Sequence, residues 1–447
     1  MTVSAHVPAT ARPAHLRLAG IGVVLVALTA AAPRLHFQLG GFALIALFAV
    51  AGLGAYAASR LAEQADQRTG LLVILLGAVA MRLALLFVEP YLSSDIYRYI
   101  WDGRVQAAGI NPYRYVPKAP ELAALQDAAI WPNINRPDYA VTIYPPAAQA
   151  IFLAITRVGQ SVVAMKLGLL LFEAAAVWAL LALLQRQGAP ATRVALYAWH
   201  PLPVWEIAGN GHVDAAMLAL LLVGLLLFVQ GQTLLAGVLA TLGALVKPVA
   251  LLALPVLWRP WNWRLPLVAA ATMLVAYLPY LSVGWGVLGF LPGYLREEGF
   301  TSGSGYKLLW LVQEITGPLP HGATIYIAIS AAVLVVLALA AGFRADRSEQ
   351  AAIHWLSWLL MAFLVLSSPH YPWYFLVLVP FLALRPTATA WVLTLGCVLF
   401  YDVVLNDVLP GYTARIALFT LATFAALAHD LRGAWHTSKP VSAGERA

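Results

Sequence analysis

Apolar runs of near-membrane length recur along the chain from Leu16 to the C-terminal region, separated by short polar stretches rich in arginine. A run of about 20 apolar residues is what an α-helix needs to cross the hydrocarbon core, so each of these runs predicts a membrane segment. The first three are expected at about 16–32, 40–58 and 70–89. VQGQTLLAGVLATLGALVKPVALLALPVLWRP is long enough for one span, yet it contains Lys247 and Pro248 near its centre. A proline breaks the hydrogen-bond ladder and a lysine there would be buried in lipid, so the pattern predicts two segments with a break that faces water. PPAAQAIFLAIT (145–156) reads as a re-entrant or surface-lying helix. The count is about 12–14 segments in an all-α polytopic membrane protein.

Composition agrees with the pattern. Of 447 residues 62% are hydrophobic and only 11% charged, with a mean hydropathy of +0.79; soluble domains carry about a quarter charged residues. The net charge of +7 does not point to nucleic acid, because the basic residues sit in loops between apolar runs, where they set orientation. The single cysteine, Cys397, rules out a disulfide framework. No early run is followed by a cleavage signature, so the chain is expected to remain anchored by its first span.

The charge pattern also predicts sides. Arg12, Arg17, Arg60 and Arg68 flank the first two spans, and the loops with Arg259 and Arg264, with Arg344 and Arg347, and with Arg385 carry positive charge, as does a tail at 432–447 with Arg432, Lys439 and Arg446. Positive loops lie inside. The third span then exits outward and delivers 90–144 to the outer face, leaving 145–431 as the remaining membrane core of a single unit. EIAGNGHVDAAM (206–217), the loop at about 284–323 and SSPHYPWYF (367–375) fall on the same side.

The outer face therefore gathers most of the unusual polar residues. In SSDIYRYIWDGRVQAAGINPYRYVP, beginning at Ser93, the charged residues Asp95, Arg98 and Asp102 share one helical face. Tyr97, Ile100 and Trp101 populate the other faces, and because tyrosine and tryptophan suit the headgroup level the pattern predicts an interfacial helix, anchored by Tyr97, Tyr99 and Trp101, with its charged stripe turned to a water-filled cavity. Arg98 and Asp102 also fit an i, i+4 ion pair on a solvated surface. His212 and Asp214 fit either a ligand role or solvated caps. Lys247 at a helix break suits a phosphate, and His370 beside Tyr371, Trp373 and Tyr374 suits phosphate or sugar, while the rings alone fit an aromatic belt. Arg82 lies inside the third span and calls for a partner, Glu89 or Glu173. Glu297, Glu298 and Lys307 read as a solvated loop, with a gate as the alternative.

Taken together, the Ser93–Pro117 run, IYPPAAQAIF, GNGHVDAAM, the Lys247–Pro248 break and SSPHYPWYF resemble the polyprenyl-phosphate-dependent glycosyltransferases of the GT-C superfamily, and among them the mycobacterial-type α-1,6-mannosyltransferases and their GT87-type relatives. The resemblance runs from about Arg82 to Tyr374. It implies a membrane hexosyltransferase of GT-C fold in a bacterial inner membrane, with a polyprenyl-phosphate sugar donor, a lipid or glycan acceptor, and its site on the outer face. Asp95 matches the catalytic aspartate of the first outer loop. SSD stands where many relatives have paired aspartates, which speaks against a two-carboxylate metal site.

The residues carry that chemistry by themselves. Transfer from a lipid phosphate needs an apolar groove, cations for the leaving phosphate and a carboxylate base. Asp95 is assigned the base, and Arg98, Asp102, Arg104, Tyr144, His212, Asp214, Lys247, His370 and Tyr371 are the substrate-binding candidates. An in-line displacement inverts, so a β-linked donor gives an α-linked product. The spacing offers no metal-ligand set, so no cofactor is expected and a divalent cation stays open. An arabinosyl- or glucosyltransferase is the nearer alternative, and a lipid-linked sugar transporter the more distant one.

Overall fold

A computed structural model describes residues 11–39, 41–401 and 411–438. The described chain is helical and contains no strand. The three N-terminal helices, α1 (Ala11–Leu39), α2 (Gly41–Ala62) and α3 (Gln67–Leu86), pack on one another. Asp66 caps α3 by accepting from the Thr69 amide at 2.9 Å. Leu72, Leu76, Val79 and Leu83 of α3 are exposed on the protein, as expected of a lipid-facing stripe.

Among the described residues eight helices are long and apolar enough to cross a membrane, and six apolar helices are shorter. The expected 12–14 segments thus resolve into two kinds. The shorter ones include α5 (Pro146–Val158), α7 (Asp214–Val229) and α8 (Thr233–Ala244). At 1.5 Å per residue the 16 residues of α7 reach about 24 Å, short of the ~30 Å hydrocarbon core. Hydropathy cannot separate such a helix from a full crossing, because lipid and a protein interior reward the same residues. α7 packs between α8 and α6 (Val162–Arg186). The break at Lys247 and Pro248 is present: α8 ends at Ala244 and a 3-10 turn starts at Pro248.

A helix runs from Tyr412 to Ser438, and its span-length apolar part is Tyr412–Arg432, so the expected tail begins as an extension of this helix; Lys439 and Arg446 lie outside the described residues.

Arg82 finds its partner across α3 and α6. Its Nη2 lies 2.7 Å from Glu173 Oε1 and its Nε 3.2 Å from Oε2, with the Ala198 carbonyl also accepting from the guanidinium. Both residues are buried. This is the structural ion pair that a charge inside an apolar span requires. A second buried cation, Lys166 of α6, donates to the Leu85 and Val88 carbonyls at 3.1 and 2.6 Å. It satisfies carbonyls that the end of α3 leaves open and so fixes the departure of the chain toward Asp95.

Beyond α3 the chain forms α4 (Asp95–Ala107), then turns and two short 3-10 helices up to α5. Here the structure corrects the sequence reading. α4 is not an interfacial helix: Tyr97, Arg98, Tyr99, Trp101 and Asp102 are all buried, the Tyr97 hydroxyl donating to Glu89 at 2.9 Å. Tyr99 stacks on Phe152 of α5 and Trp101 packs on Trp131. The rings that would suit a headgroup layer equally suit a protein core. The contact with α5 is close at Gly103, where an added Cβ would lie 2.5 Å from the Phe152 carbonyl oxygen.

Candidate active site

The site is built where α4 begins. Asp95 is the first residue of α4 and half-buried, and its Oδ1 accepts from the Asn135 side-chain amide at 2.9 Å. The approach is held from behind: Asn210 accepts from the backbone amides of Tyr91 and Leu92 at 3.1 and 2.9 Å. Tyr99 and Tyr144 flank the carboxylate, and their phenols are held well above the usual tyrosine range, by burial first and then by the negative charge of Asp95.

Lys247 stands beside Tyr374, paired with Asp214. Lys247 Nζ is 2.7 Å from Asp214 Oδ2 and 4.8 Å from the centroid of the Tyr374 ring. The contact is a charge pair and not an aligned hydrogen bond, since Oδ2 has no hydrogen-bond partner. Asp95 and Asp214 both act electrostatically on the Tyr374 phenol. The structure thus brings Asp95, Tyr144, Asp214 and Lys247 into one cluster around Tyr99 and Tyr374. The lysine is the cation of this cluster, partnered by a buried carboxylate.

SSPHYPWYF closes the cluster from another side. Tyr371 stacks on Trp373 at 4.6 Å, and Trp373 stacks on His212 at 4.4 Å. These rings form one packed stack inside the protein, not the aromatic belt that their types also fit. His370 Nδ1 lies 2.8 Å from Glu298 Oε2 and Nε2 lies 2.8 Å from the Gly305 carbonyl. Tyr371 donates to Glu298 Oε1 at 3.1 Å. Neither ring nitrogen of His370 is left for a sugar or phosphate, so the expected ligand role is replaced by a tie to the 291–306 loop.

That loop is correspondingly not solvated as expected. Glu298 and Lys307 are buried, and Lys307 donates to the Ser368 and Pro369 carbonyls at 3.0 and 2.7 Å. The Glu298 carboxyl lies below its ordinary value of 4.5: burial alone would raise it, but the hydrogen bond and charge of His370, the Tyr371 phenol and Arg136 outweigh burial. A folded-state value below the unfolded one means stabilisation present above about pH 4.5 and lost as pH falls through the lower folded value. Proteolytic cleavage within 291–306 is therefore expected to accelerate on acidification below that point, and Glu298→Gln is expected to make cleavage fast at neutral pH and insensitive to this change. A loop equally resistant at pH 7 and pH 3.5 would refute the assignment.

Three further sequence candidates lie elsewhere. Arg98 and Asp102 are not a solvated pair: Nε meets Oδ1 at 2.8 Å with both groups buried, and Asp102 Oδ2 also accepts from Thr142 and, at 3.0 Å, from Gln149. Their bonding capacity is spent on joining α4, α5 and the 111–144 loop, so the water-facing substrate role is not available to them. Arg104 sits at the other end of α4 and pins the same loop through the Leu125 carbonyl and Asp127, at 2.9 and 2.6 Å. His212 and Asp214 are not solvated caps, being 0% and 1% exposed. His212 Nε2 is 3.2 Å from Glu206 Oε2 without hydrogen-bond alignment.

The sequence reading missed Asn135, Arg136, Glu206 and Lys166. Lys166 and Glu206 were visible as charges in apolar surroundings; nothing local marks Asn135 or Arg136. Glu206 is fully buried on a π-helical turn, where it meets Tyr401, His212 and Asn210. Among the described residues no group of three or more His, Cys, Asp or Glu side chains is placed to hold a metal ion.

Comparison with known proteins gives this arrangement its relatives. The family model for alpha-(1->6)-mannopyranosyltransferase, N-terminal domain, matches residues 16–264. The chain is 26% identical over 323 residues to alpha-(1->6)-mannopyranosyltransferase A of Mycobacterium tuberculosis, covering 65% of this chain and 61% of that protein. It is 29% identical over 189 residues to alpha-(1->6)-mannopyranosyltransferase A of Corynebacterium glutamicum, covering 40% of this chain and 37% of that one. The match therefore spans less than two thirds of either relative's length. No solved structure matches the chain. The family match holds α3, α4, Asn135, Asp214 and Lys247 within its bounds and takes in more than half of the chain, which accordingly belongs to the alpha-(1->6)-mannopyranosyltransferase family.

Proposed function

We propose that this protein is a membrane mannosyltransferase that moves mannose from a polyprenyl-phosphate donor to a lipid-linked or glycan acceptor, on the outer face of a bacterial inner membrane, with Asp95 as general base. The observation that carries this reading is the presence of two unlike groups near Tyr374: a half-buried carboxylate whose charge reaches the phenol and which has one oxygen tied to Asn135, and a lysine at a helix break 4.8 Å from the ring. The carboxylate supplies the base for an acceptor hydroxyl, and the ammonium offsets charge on the departing phosphate. Asp214 then acts as the lysine's resident counter-ion, which a donor phosphate would displace or share. The names of the relatives speak for mannose over arabinose or glucose. Asp95 follows soon after the end of α3, a helix of crossing length, which speaks for transfer at a membrane face over transport, since transporters place such groups at the midplane.

Purified protein is expected to transfer radiolabelled mannose from polyprenyl-phosphate mannose in detergent, where transport has no meaning, and to retain activity in EDTA. A protein inert with that donor but active with the glucose or arabinose analogue would displace the mannose assignment. Sidedness is read separately: a cysteine at the exposed Ala124, in a Cys397→Ala background, is expected to react with an impermeant thiol reagent in intact spheroplasts. Labelling only after disruption would move the site to the cytoplasm.

A further inference from the structure

Arg136 is one of four described residues other than glycine with a positive φ, at 51°. An L-residue pays for the left-handed region by crowding its Cβ against the following carbonyl, and it stays there only when its surroundings hold it. What holds Arg136 is remote in sequence. Its Nε lies 2.8 Å from Glu297 Oε2, and its Nη2 lies 3.8 Å from Glu298 Oε1, both at the C-terminal end of the short helix α9 (Leu291–Glu297). The residue before it, Asn135, donates to Asp95. The residue four on, Ala140, donates its amide to the Arg136 carbonyl at 3.2 Å, while the Ala140 carbonyl accepts from Arg98 at 3.1 Å. A strained backbone position therefore sits directly between the charge contacts of the 291–298 segment and the amide that orients the carboxylate.

We propose that Arg136 is a positioning residue: its ion pairs with Glu297 and Glu298 hold the left-handed turn that presents Asn135 to Asp95, so that docking of the 291–298 segment is coupled to the orientation of the reactive carboxylate. This rests on the reading of Asp95 as base. The rival account is a half-exposed ion pair that merely ties two loops, a kind of contact that contributes little by itself. The two accounts differ in what glycine does. Glycine enters the left-handed region freely, so it discards the charge while keeping the turn; alanine discards the charge and keeps the strain.

The experiment compares Arg136→Ala and Arg136→Gly in the full-length protein. Arg136→Ala is expected to lower turnover about tenfold, the size of one relieved backbone strain, with donor KM nearly unchanged because Lys247 is untouched. Arg136→Gly is expected to recover most of that turnover, and adding Glu297→Gln to it is expected to cost nothing further. Equal impairment by alanine and glycine, or full activity of Arg136→Ala, would overturn the proposal. Amide hydrogen exchange provides a readout independent of activity: exchange at Ala140 is expected to rise in Arg136→Ala and stay near wild type in Arg136→Gly, while the 291–298 amides loosen in both. If Asp95→Asn stayed active but this exchange pattern held, the base assignment would fall and the coupling would stand. If Ala140 exchanged alike in both variants, the coupling itself would fall.

Discussion

Asp95→Asn is expected to express, insert and bind donor like the wild type while its turnover falls by roughly 10²- to 10⁴-fold, the loss associated with removing a general base. The substitution is nearly isosteric, and the carbonyl oxygen of the introduced side-chain amide can still accept from Asn135, which in the wild type reaches Asp95 Oδ1 at 2.9 Å. Only the capacity to take a proton disappears. Asp102→Asn is the comparison that gives the result its meaning. It deprives the buried Arg98 guanidinium of its counter-ion at 2.8 Å, and breaking a buried pair costs about 3 kcal/mol or more, so its damage is expected in the melting temperature first and in turnover second. Near wild-type turnover of purified Asp95→Asn would remove Asp95 as base. A well-folded but inactive Asp102→Asn would pass the role to the second carboxylate of α4.

Lys247→Ala is expected to lower kcat/KM for the donor by about 10²-fold, comparable to losing a preorganised charge-stabilising group. It also leaves the Asp214 carboxylate, 1% exposed and paired to Lys247 at 2.7 Å, with no cation beside it. Stability therefore falls too, and the two losses have to be separated. The double variant Lys247→Ala/Asp214→Ala removes the stranded charge, so it is expected to regain much of the melting temperature and none of the catalytic efficiency. Lys247→Arg is expected to rescue only in part, because a planar guanidinium fork does not reproduce a compact ammonium on a flexible stem. If the double variant recovered donor turnover along with stability, Lys247 would be a structural partner of Asp214 and nothing more.

Much of this protein is legible in its sequence because the membrane makes strong local demands. Helices of crossing length follow from apolar runs that satisfy their own backbone, and the structure has them at the first three predicted places, as Ala11–Leu39, Gly41–Ala62 and Gln67–Leu86. The partner of Arg82 was legible for the same reason: a charge inside a span demands an opposite one, and Glu173 is one of the few available. Pro248 announced the break that ends α8. What the sequence left undecided was which apolar surface a residue faces. Tyr99 and Trp101 satisfy a headgroup layer and a protein core equally well, and only packing against Phe152 and Trp131 chose the core. The same ambiguity let half-length helices count as crossings.

The supports of the site were decided by tertiary structure alone. Asn135 meets Asp95 across 40 residues, Glu298 meets His370 across 72, and Arg136 meets Glu297 across 161. Asn135, Arg136, Glu298 and His370 lie outside the helices, so no local period states where their side chains go. Chemistry-bearing types could be listed from the chain: a carboxylate at the head of α4, a lysine at a helix break, a histidine among aromatic rings. Which of them keeps a free face depends on neighbours brought together by folding: Asp95 remains half-buried, whereas His370, Arg98 and Asp102 have their polar atoms consumed by long-range partners. Burial and hydrogen-bond satisfaction are properties of the assembled surroundings, and they separated the candidate base from the carboxylate seven residues along the same helix.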